Sequence, residues 1–366
     1  MSTTREAKPS GAAVLDGIKT SSWQSRIAVT IVAALVVLLL VQAVRDPGQF
    51  VSQLLIGITN GAIIALIALG YTLVYGIVEL INFAHGDNFM IGSFVGVTVL
   101  SGTFLGIGFL APIGADSGAG IKIVGVILAL IVAMAACGFI NVGIERIAYK
   151  PLRNSPRLAV LITAIGMSFI LQNLGLVWKG PSQISFPGLI SDANVLAGIT
   201  DAVAYRWKDL FVVLVTIPLL IGLSYFIRGT RQGKAMRAVA QDKEAAAMMG
   251  INVNRTISVA FLLGGILAGA SGVMFGLFNG TTVFDLGFRQ GLFAFTAAVL
   301  GGIGNLTGAV LGGILIGVIG SMTDQYIGVR WTDVVIFTVL ILVLVFRPRG
   351  LLGDRSAVQG GGGEAG

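Results

Sequence analysis

Two long stretches without a single charged side chain set the strongest limit on how this chain can fold. Residues 27–44 and residues 123–144 are uncharged and almost wholly apolar. An α-helix needs about 20 such residues to cross the hydrocarbon core of a membrane. The whole chain is 55% hydrophobic and 11% charged, whereas an average soluble domain is about 25% charged. The sequence therefore predicts an integral membrane protein.

The predicted fold class is all-α, a polytopic transmembrane helical bundle of about eight spans with further broken or re-entrant half-helices. The short alternating segments that are typical of a β-barrel are not found. We expect three parts, which are a disordered tail over residues 1–26, a transmembrane domain over residues 27–346 and a second tail over residues 347–366. Residues 27–44 are too long for a signal peptide and predict an uncleaved first span.

The positions of the basic residues predict the orientation, because cytoplasmic loops carry an excess of Lys and Arg. Residues 228–255 contain six basic and two acidic side chains, and residues 145–157 are also basic. Both segments are therefore expected in the cytoplasm, together with the N-terminus and the C-terminus. Residues 179–208 then form an external loop. The net charge of +7 matters less than this distribution, and no nucleic-acid partner is predicted.

A polar cluster interrupts the apolar sequence between residues 77 and 92, and it contains the only histidine of the chain. Polar groups inside a membrane are costly unless they face a cavity or a partner, so this cluster predicts a translocation pathway. The alternative is a turn at the membrane interface. Asn82 and the backbone near Gly86 are candidates for contact with a polar solute, whereas His85 and Asp87 are expected to bond each other or a neighbouring helix end. The candidates are Glu79, Asn82, His85, Gly86 and Asp87.

A second irregular region is predicted in the apolar run over residues 293–320. A continuous helix of this length would be about 42 Å long, which exceeds a hydrocarbon core of about 30 Å. Six glycines lie between Gly301 and Gly313. We therefore expect two half-helices that meet around residues 301–308 and line a pathway. The candidates are Gly301, Gly302, Gly304 and Asn305. By contrast, Gly265 and Gly269 are small residues four apart, a spacing typical of close helix packing.

A short helix is predicted in the basic segment 228–255. Asp242 is suited to cap a helix that begins at Lys243, and Gly250 is suited to end it. Such a helix would lie below the membrane and present Met248 and Met249 to a partner. The alternative is an ordinary helical turn in a polar loop. The candidate residues are Arg237, Gln241, Asp242, Glu244, Ala245, Ala246 and Gly250.

The sequence Glu244-Ala245-Ala246 followed by Gly250 resembles the Glu-Ala-Ala-x-x-x-Gly core of the coupling helix in permeases of ATP-binding-cassette importers. The Ile-x-Leu-Pro that usually follows is absent. Four further segments are similar to the branched-chain amino acid permease family, LivH type, and the resemblance covers roughly residues 50–353. They are the stretch 65–78, Ile-Asn-Phe-Ala-His-Gly-Asp from Ile81, Ala-Ala-Val-Leu-Gly-Gly-Ile-Gly-Asn from Ala297, and Arg-Pro-Arg-Gly-Leu-Leu-Gly from Arg347.

The resemblance implies one transport subunit of a larger importer in a bacterial plasma membrane, rather than an enzyme. The implied partners are a second, LivM-like permease, two cytoplasmic ATPases and an extracytoplasmic solute-binding protein. The chain contains no phosphate-binding loop, so ATP and Mg²⁺ are expected in the ATPases and no cofactor is expected here.

The sequence leaves three other functions open. They are a permease for urea or short-chain amides, an ATP-independent secondary transporter or channel, and a membrane enzyme that uses His85 and Asp87. The membrane enzyme is disfavoured, because the sequence has no second histidine, no set of metal ligands and no arrangement typical of a catalytic nucleophile.

Overall fold

The computed structural model describes residues 37, 40–104, 107–108, 112–114, 116–153, 155–198, 202–347 and 350–353. The predicted tail over residues 1–26, most of the predicted first span over residues 27–44 and the end of the second tail lie outside these residues. The chain divides into two compact units, Met1–Val51 and Ser52–Gly366. The second unit contains every site discussed below.

Helices make up most of the described chain. In order they are α1 (Pro47–Val78), α2 (Ala84–Ser101), α3 (Ala119–Ile144), α4 (Arg157–Lys179), α5 (Trp207–Gly229), α6 (Arg231–Gln241), α7 (Lys243–Met248), α8 (Val253–Asn279), α9 (Leu286–Gly301), α10 (Leu306–Thr323) and α11 (Thr332–Phe346). A π-helical segment, Glu145–Tyr149, continues α3, and a second one, Asp324–Gly328, follows α10. A 3₁₀ turn, Val329–Trp331, leads into α11.

Among the described residues, four two-residue strands form two small antiparallel pairs. Strand β1 (Thr103–Phe104) pairs with β2 (Ile107–Gly108), so that Thr103 lies opposite Gly108. Strand β3 (Ile184–Ser185) pairs with β4 (Thr281–Thr282), so that Ile184 lies opposite Thr282. The all-α class is confirmed, because strands this short only pin loops together.

Six helical stretches of the described chain are long and apolar enough to cross a membrane. The adjoining ends of α3, α4, α5 and α8 agree to within a few residues with the predicted loops 145–157, 179–208 and 228–255. Helix α9 is apolar but has only 16 residues, and α2 has 18. At 1.5 Å per residue these two are about 24 Å and 27 Å long, short of a hydrocarbon core of about 30 Å. Helix α2 is almost completely buried and α9 is buried over most of its length, so they are the short internal helices of the bundle.

Glycine and alanine allow α8 to pack closely against α2 and α3. A Cβ on Gly265 would lie 2.7 Å from the Cβ of Asn141, and a Cβ on Gly272 would lie 2.6 Å from the backbone nitrogen of Ser93. Such contacts are possible only without a side chain, and close approach of this kind is how helices associate in a bilayer. The packing role predicted for Gly265 and Gly269 is confirmed. Cys137 is buried in the same interface and donates from Sγ to the carbonyl of Asn88 at 3.3 Å.

The loop between α4 and α5 is tied to the start of α1. The hydroxyl of Tyr205 lies 3.0 Å from that of Thr59, and the backbone nitrogen of Ala204 donates to Ser52 Oγ at 2.9 Å. Burial raises the pKa of the Tyr205 hydroxyl. Lys208 lies 2.7 Å from Asp192, and its hydrogen bond lowers the pKa of that carboxyl. The described part of this loop is therefore attached to α1.

Candidate functional site

The first candidate region is the break between α1 and α2. Helix α1 ends at Val78, and Glu79 adopts a left-handed backbone conformation with φ of 62°, which non-glycine residues rarely do. The segment 79–83 then turns the chain into α2. Glu79 is exposed, whereas Asn82 is only 2% exposed. The predicted polar cluster is therefore a helix break, and its members have different surroundings.

Asn82 is held by two polar groups from other elements. The hydroxyl of Tyr149 donates to Asn82 Oδ1 at 3.1 Å, and Asn82 Nδ2 approaches Asn141 Oδ1 at 3.4 Å. Asn141 in turn donates to the carbonyl of Phe261 on α8 at 2.6 Å. These bonds satisfy polar groups that would otherwise be costly inside the bundle. In this conformation the Asn82 side chain anchors the break to α3 and α8.

His85 and Asp87 do not bond each other, contrary to one of the two arrangements expected for them. The buried His85 ring packs edge-on against Tyr71 of α1, with the ring centroids 4.8 Å apart. Asp87 accepts a hydrogen bond from the hydroxyl of Ser168 on α4. The reason is helix geometry, since residues two apart point to different sides of α2. Asp87 thus bonds a neighbouring helix, although at its middle rather than at its end.

Gly86 brings α2 against α9. A Cβ there would lie 2.8 Å from the α-carbon of Gly291 and would overlap the carbonyl of Gly287. Its backbone is therefore in helix contact, and the predicted exposure to a solute is not present in this conformation. The two short helices meet at this point in the interior of the bundle.

The second candidate region is the break between α9 and α10, which lies where the glycine pattern predicts it. Helix α9 ends at Gly301 and α10 begins at Leu306. Gly302 and Gly304 have φ values of 106° and 91°, which favour glycine. The predicted break between two helices is confirmed. Asn305 caps α10, because its Oδ1 accepts from the backbone nitrogen of Gly308 at 3.1 Å.

The C-terminal segment 350–353 returns to this second break. The backbone nitrogens of Leu351 and Leu352 donate to the carbonyls of Leu300 and Gly301 at 2.8 Å and 3.0 Å. Asn305 also donates to the carbonyl of Leu352 at 2.7 Å. The segment thereby satisfies carbonyls that the end of a helix leaves without partners. Residues 350–353, the end of the Arg-Pro-Arg-Gly-Leu-Leu-Gly sequence that is similar to a permease family, therefore cap the end of α9.

Gly350→Ala should release this C-terminal segment. Gly350 has φ of 73°, and a Cβ would lie 2.5 Å from the backbone nitrogen of Gly302, so alanine adds both strain and a backbone clash. Left-handed backbone alone costs a non-glycine residue about 1–2 kcal/mol. We expect faster tryptic cleavage of the Arg349–Gly350 bond and a lower melting temperature. Gly222→Ala, on an exposed site with nothing within 4 Å, is the control, and equal effects of the two variants would contradict the docked segment.

A narrow cleft lies between the two breaks and has room for about one water molecule in this conformation. Ile81 comes from the first break and Ile303 from the second, while α1 and α9 supply the walls between them. Most of the lining is aromatic or aliphatic, and the polar groups are hydroxyls on α1. The lining residues are Tyr71, Thr72, Tyr75, Ile81, Phe295, Ala298 and Ile303. Sequence reasoning identified both ends of this cleft but none of its walls.

The third region is the pair of short helices α6 and α7. The side chain of Asp242 accepts hydrogen bonds from the backbone nitrogens of Glu244 and Ala245, both at 2.9 Å. Gly250 has φ of 82° and follows the end of the helix. The predicted start and end of this helix are confirmed. Met248 and Met249 are 82% and 83% exposed, so the end of α7 presents an apolar surface.

The candidates in this region divide into internal and exposed residues. Arg237 donates to the carbonyl of Ile227 at the end of α5, and Ala246 is buried. These two hold the helices in place. Gln241, Asp242 and Glu244 are exposed and available to another protein.

Several polar residues that sequence reasoning missed hold these regions together. Glu145 is fully buried, and it accepts hydrogen bonds from Arg153 and, at 2.8 Å, from Ser258. Asn141 and Ser168 are lone polar side chains in apolar stretches, which is a signal because buried polar groups in membranes need partners. Glu145 and Tyr149 lie in the basic segment 145–157 and give no such signal. The missed residues are Asn88, Asn141, Glu145, Tyr149 and Ser168.

A bundle with two short internal helices, a cleft between two helix breaks and a capped helix outside the apolar spans is typical of a membrane permease subunit. The chain matches the family model described as "Branched-chain amino acid transport system / permease component" over residues 53–344. The chain belongs to this family.

Curated relatives support the same assignment. The permease protein LivH of Salmonella typhimurium, from a high-affinity branched-chain amino acid transport system, is 42% identical over 83% of this chain and 96% of its own length. The permease protein BraD of Pseudomonas aeruginosa, described for the same kind of system, is 41% identical over the same shares. A probable LivH of Methanocaldococcus jannaschii is 30% identical over 59% of this chain and 64% of its own length. No solved structure matches the chain significantly.

Proposed function

We propose that this chain is a permease subunit of an ATP-binding-cassette importer that moves branched-chain amino acids inward by alternating access. The observation that carries this proposal is the cleft in which both helix breaks meet. Irregular backbone at membrane depth is tolerated where it lines a cavity, and broken helices are a common way to build a transport site. An aromatic and aliphatic lining suits the side chain of leucine, isoleucine or valine, while the hydroxyls of Tyr71, Thr72 and Tyr75 suit its polar end.

The second support is the exposed face of α7. A helix with Asp242 as its cap and two exposed methionines at its end is suited to a groove on another protein, because methionine adapts to irregular apolar surfaces. The partner proposed for this face is an ATPase subunit, since α7 carries the Glu-Ala-Ala motif. ATP and Mg²⁺ would then bind in two such ATPases, with no cofactor in this chain.

The proposed importer contains two further kinds of subunit. A second, LivM-like permease completes the pathway, and a solute-binding protein delivers the amino acid to the loop between α4 and α5. The basic segments 145–157 and 228–255 face the cytoplasm, as do both termini. Substrate affinity resides mainly in the binding protein, since no charged pair in the cleft matches both ends of an amino acid.

The test is uptake of labelled leucine into vesicles that contain this chain with its neighbouring permease, ATPases and binding protein. We expect uptake to require ATP and to be lost in Glu244→Arg, because a charge reversal on the exposed face of α7 disrupts docking. Asp116→Arg is the matched control, since it makes the same charge change at an exposed residue in the segment before α3. Copurification of the ATPases should fail only in Glu244→Arg.

Other outcomes would favour other functions. Uptake of labelled urea without leucine would assign the chain to a urea or short-chain amide system. Leucine uptake by the chain without any ATPase, unchanged by Glu244→Arg, would contradict the importer and favour a secondary transporter.

A further inference from the structure

The π-helical segment Glu145–Tyr149 touches both the helix that follows α7 and the wall of the cleft. π-Helical turns are rare and occur frequently at functional sites. Both of its end residues are almost completely buried, with Glu145 at 0% and Tyr149 at 1% exposure. A buried ion pair adds little net stability compared with an apolar replacement, so stability alone does not explain this arrangement.

The first end of the segment is bonded to α8. Ser258 on α8 donates to Glu145 Oε2 at 2.8 Å. Arg153 donates to both Glu145 and Asn254, so its guanidinium bridges the π-helical segment and the first turn of α8. A displacement of the beginning of α8 must therefore move Glu145 or break these bonds.

Helix α8 is in turn joined closely to α7. The backbone nitrogens of Gly250 and Ile251 donate to Ala247 and Ala246, each at 3.0 Å, and α8 begins at Val253. Asn252 caps α8 by accepting from the backbone nitrogen of Arg255 at 3.0 Å. The connection has no flexible linker, so the two helices move together.

The second end of the segment is bonded to the first break. The hydroxyl of Tyr149 lies 3.1 Å from Asn82 Oδ1 and 3.3 Å from the carbonyl of Ile81, which lines the cleft. The Tyr149 ring also packs against Phe261 of α8, with the centroids 5.3 Å apart. One segment of five residues thus connects α8 with the cleft wall through hydrogen bonds at both ends.

We infer that Glu145 and Tyr149 are positioning residues that transmit movement of α7 and α8 to the Ile81 and Asn82 wall of the cleft. The inference rests on the proposed function, because it assigns a path by which ATPase movement opens that cleft. Loss of either end should leave ATP hydrolysis intact and separate it from transport.

The experiment measures ATP hydrolysed per leucine transported by the complete importer in proteoliposomes. Tyr149→Phe keeps the ring and removes only the hydroxyl. We expect this ratio to rise roughly fivefold, the equilibrium shift that loss of one ordinary hydrogen bond produces. Tyr225→Phe is the control, because this tyrosine is 73% exposed on α5. A ratio equal to wild type in Tyr149→Phe would overturn the inference, even if the folded yield falls.

A second variant tests whether both ends belong to one path. Ser258→Ala removes the hydroxyl that bonds Glu145 and should also raise the ratio. Residues that act in series are not additive, so the double variant should resemble the more affected single variant. Ratios that multiply in the double variant would contradict a single path. A wild-type importer without ATP-dependent leucine uptake would instead refute the proposed function, which separates the two failures.

Discussion

Gly317→Leu should leave little or no correctly folded protein. A Cβ on Gly317 would overlap the backbone of Gly61 and lie 2.6 Å from the carbonyl of Gly57, so α10 and α1 are in backbone contact here. Overpacking a core usually costs about 1–3 kcal/mol because side chains yield, and a clash with helical backbone costs more. The whole stability of a domain is only about 5–15 kcal/mol. We expect a strong loss of monodisperse protein in detergent and of its melting temperature.

Gly222→Leu is the matched control for this prediction. Gly222 also lies inside a helix, but it is exposed and a Cβ there has nothing within 4 Å. Leucine is a better helix former than glycine by up to about 1 kcal/mol, so this variant should fold at least as well as wild type. Gly317→Ala should lie between the two. Equal stability of the two leucine variants would show that α1 and α10 are not packed this closely.

The helices were predictable because their signal is local. A long uncharged run specifies a membrane helix whatever its neighbours are, and α3 appears where the run 123–144 predicts it. Helices α4, α5 and α8 begin and end at the predicted loops. The cap at Asp242 and the stop at Gly250 depend on a few adjacent residues, and both were found. The break after Gly301 was found from an excess of glycine in a run too long for one span.

The surroundings of the polar residues were not predictable, because they depend on which helices lie side by side. Nothing near His85 in sequence indicates that its ring packs against Tyr71, and nothing near Asp87 indicates Ser168. These contacts join residues from different helices, and a single sequence does not indicate which helices are neighbours. The cleft illustrates the same limit, since its ends came from backbone signals and its walls from helix packing.

Glycine has two roles in this protein, and the sequence separates them at Gly265 and at the break after Gly301 but not at Gly86. At Gly302 and Gly304 it provides a positive φ for the break, whereas at Gly86 and Gly317 it removes a side chain from a helix contact. Gly86 was assigned to the pathway because its neighbours are polar. Its contact with Gly291 instead places it in the packing between α2 and α9.

Ile303→Trp should block the cleft and leave the fold intact. Ile303 lines the cleft and is 37% exposed in the break itself, so a larger side chain can be accommodated without moving a helix. In the complete importer we expect leucine uptake to fall about tenfold, which corresponds to about 1.4 kcal/mol added to the barrier for passage. The melting temperature should stay near that of wild type.

Leu311→Trp is the control for Ile303→Trp, because Leu311 is 45% exposed on α10 and does not line the cleft. Ile303→Ala makes the opposite change, and a wider cleft should raise uptake of phenylalanine relative to leucine. A passage elsewhere in the protein would leave uptake normal in both Ile303 variants. In that case the two breaks would serve only to shorten α2 and α9, and the polar residues beside them would have a purely structural role. Loss of uptake in Ile303→Trp together with altered selectivity in Ile303→Ala requires instead that the amino acid passes between the breaks.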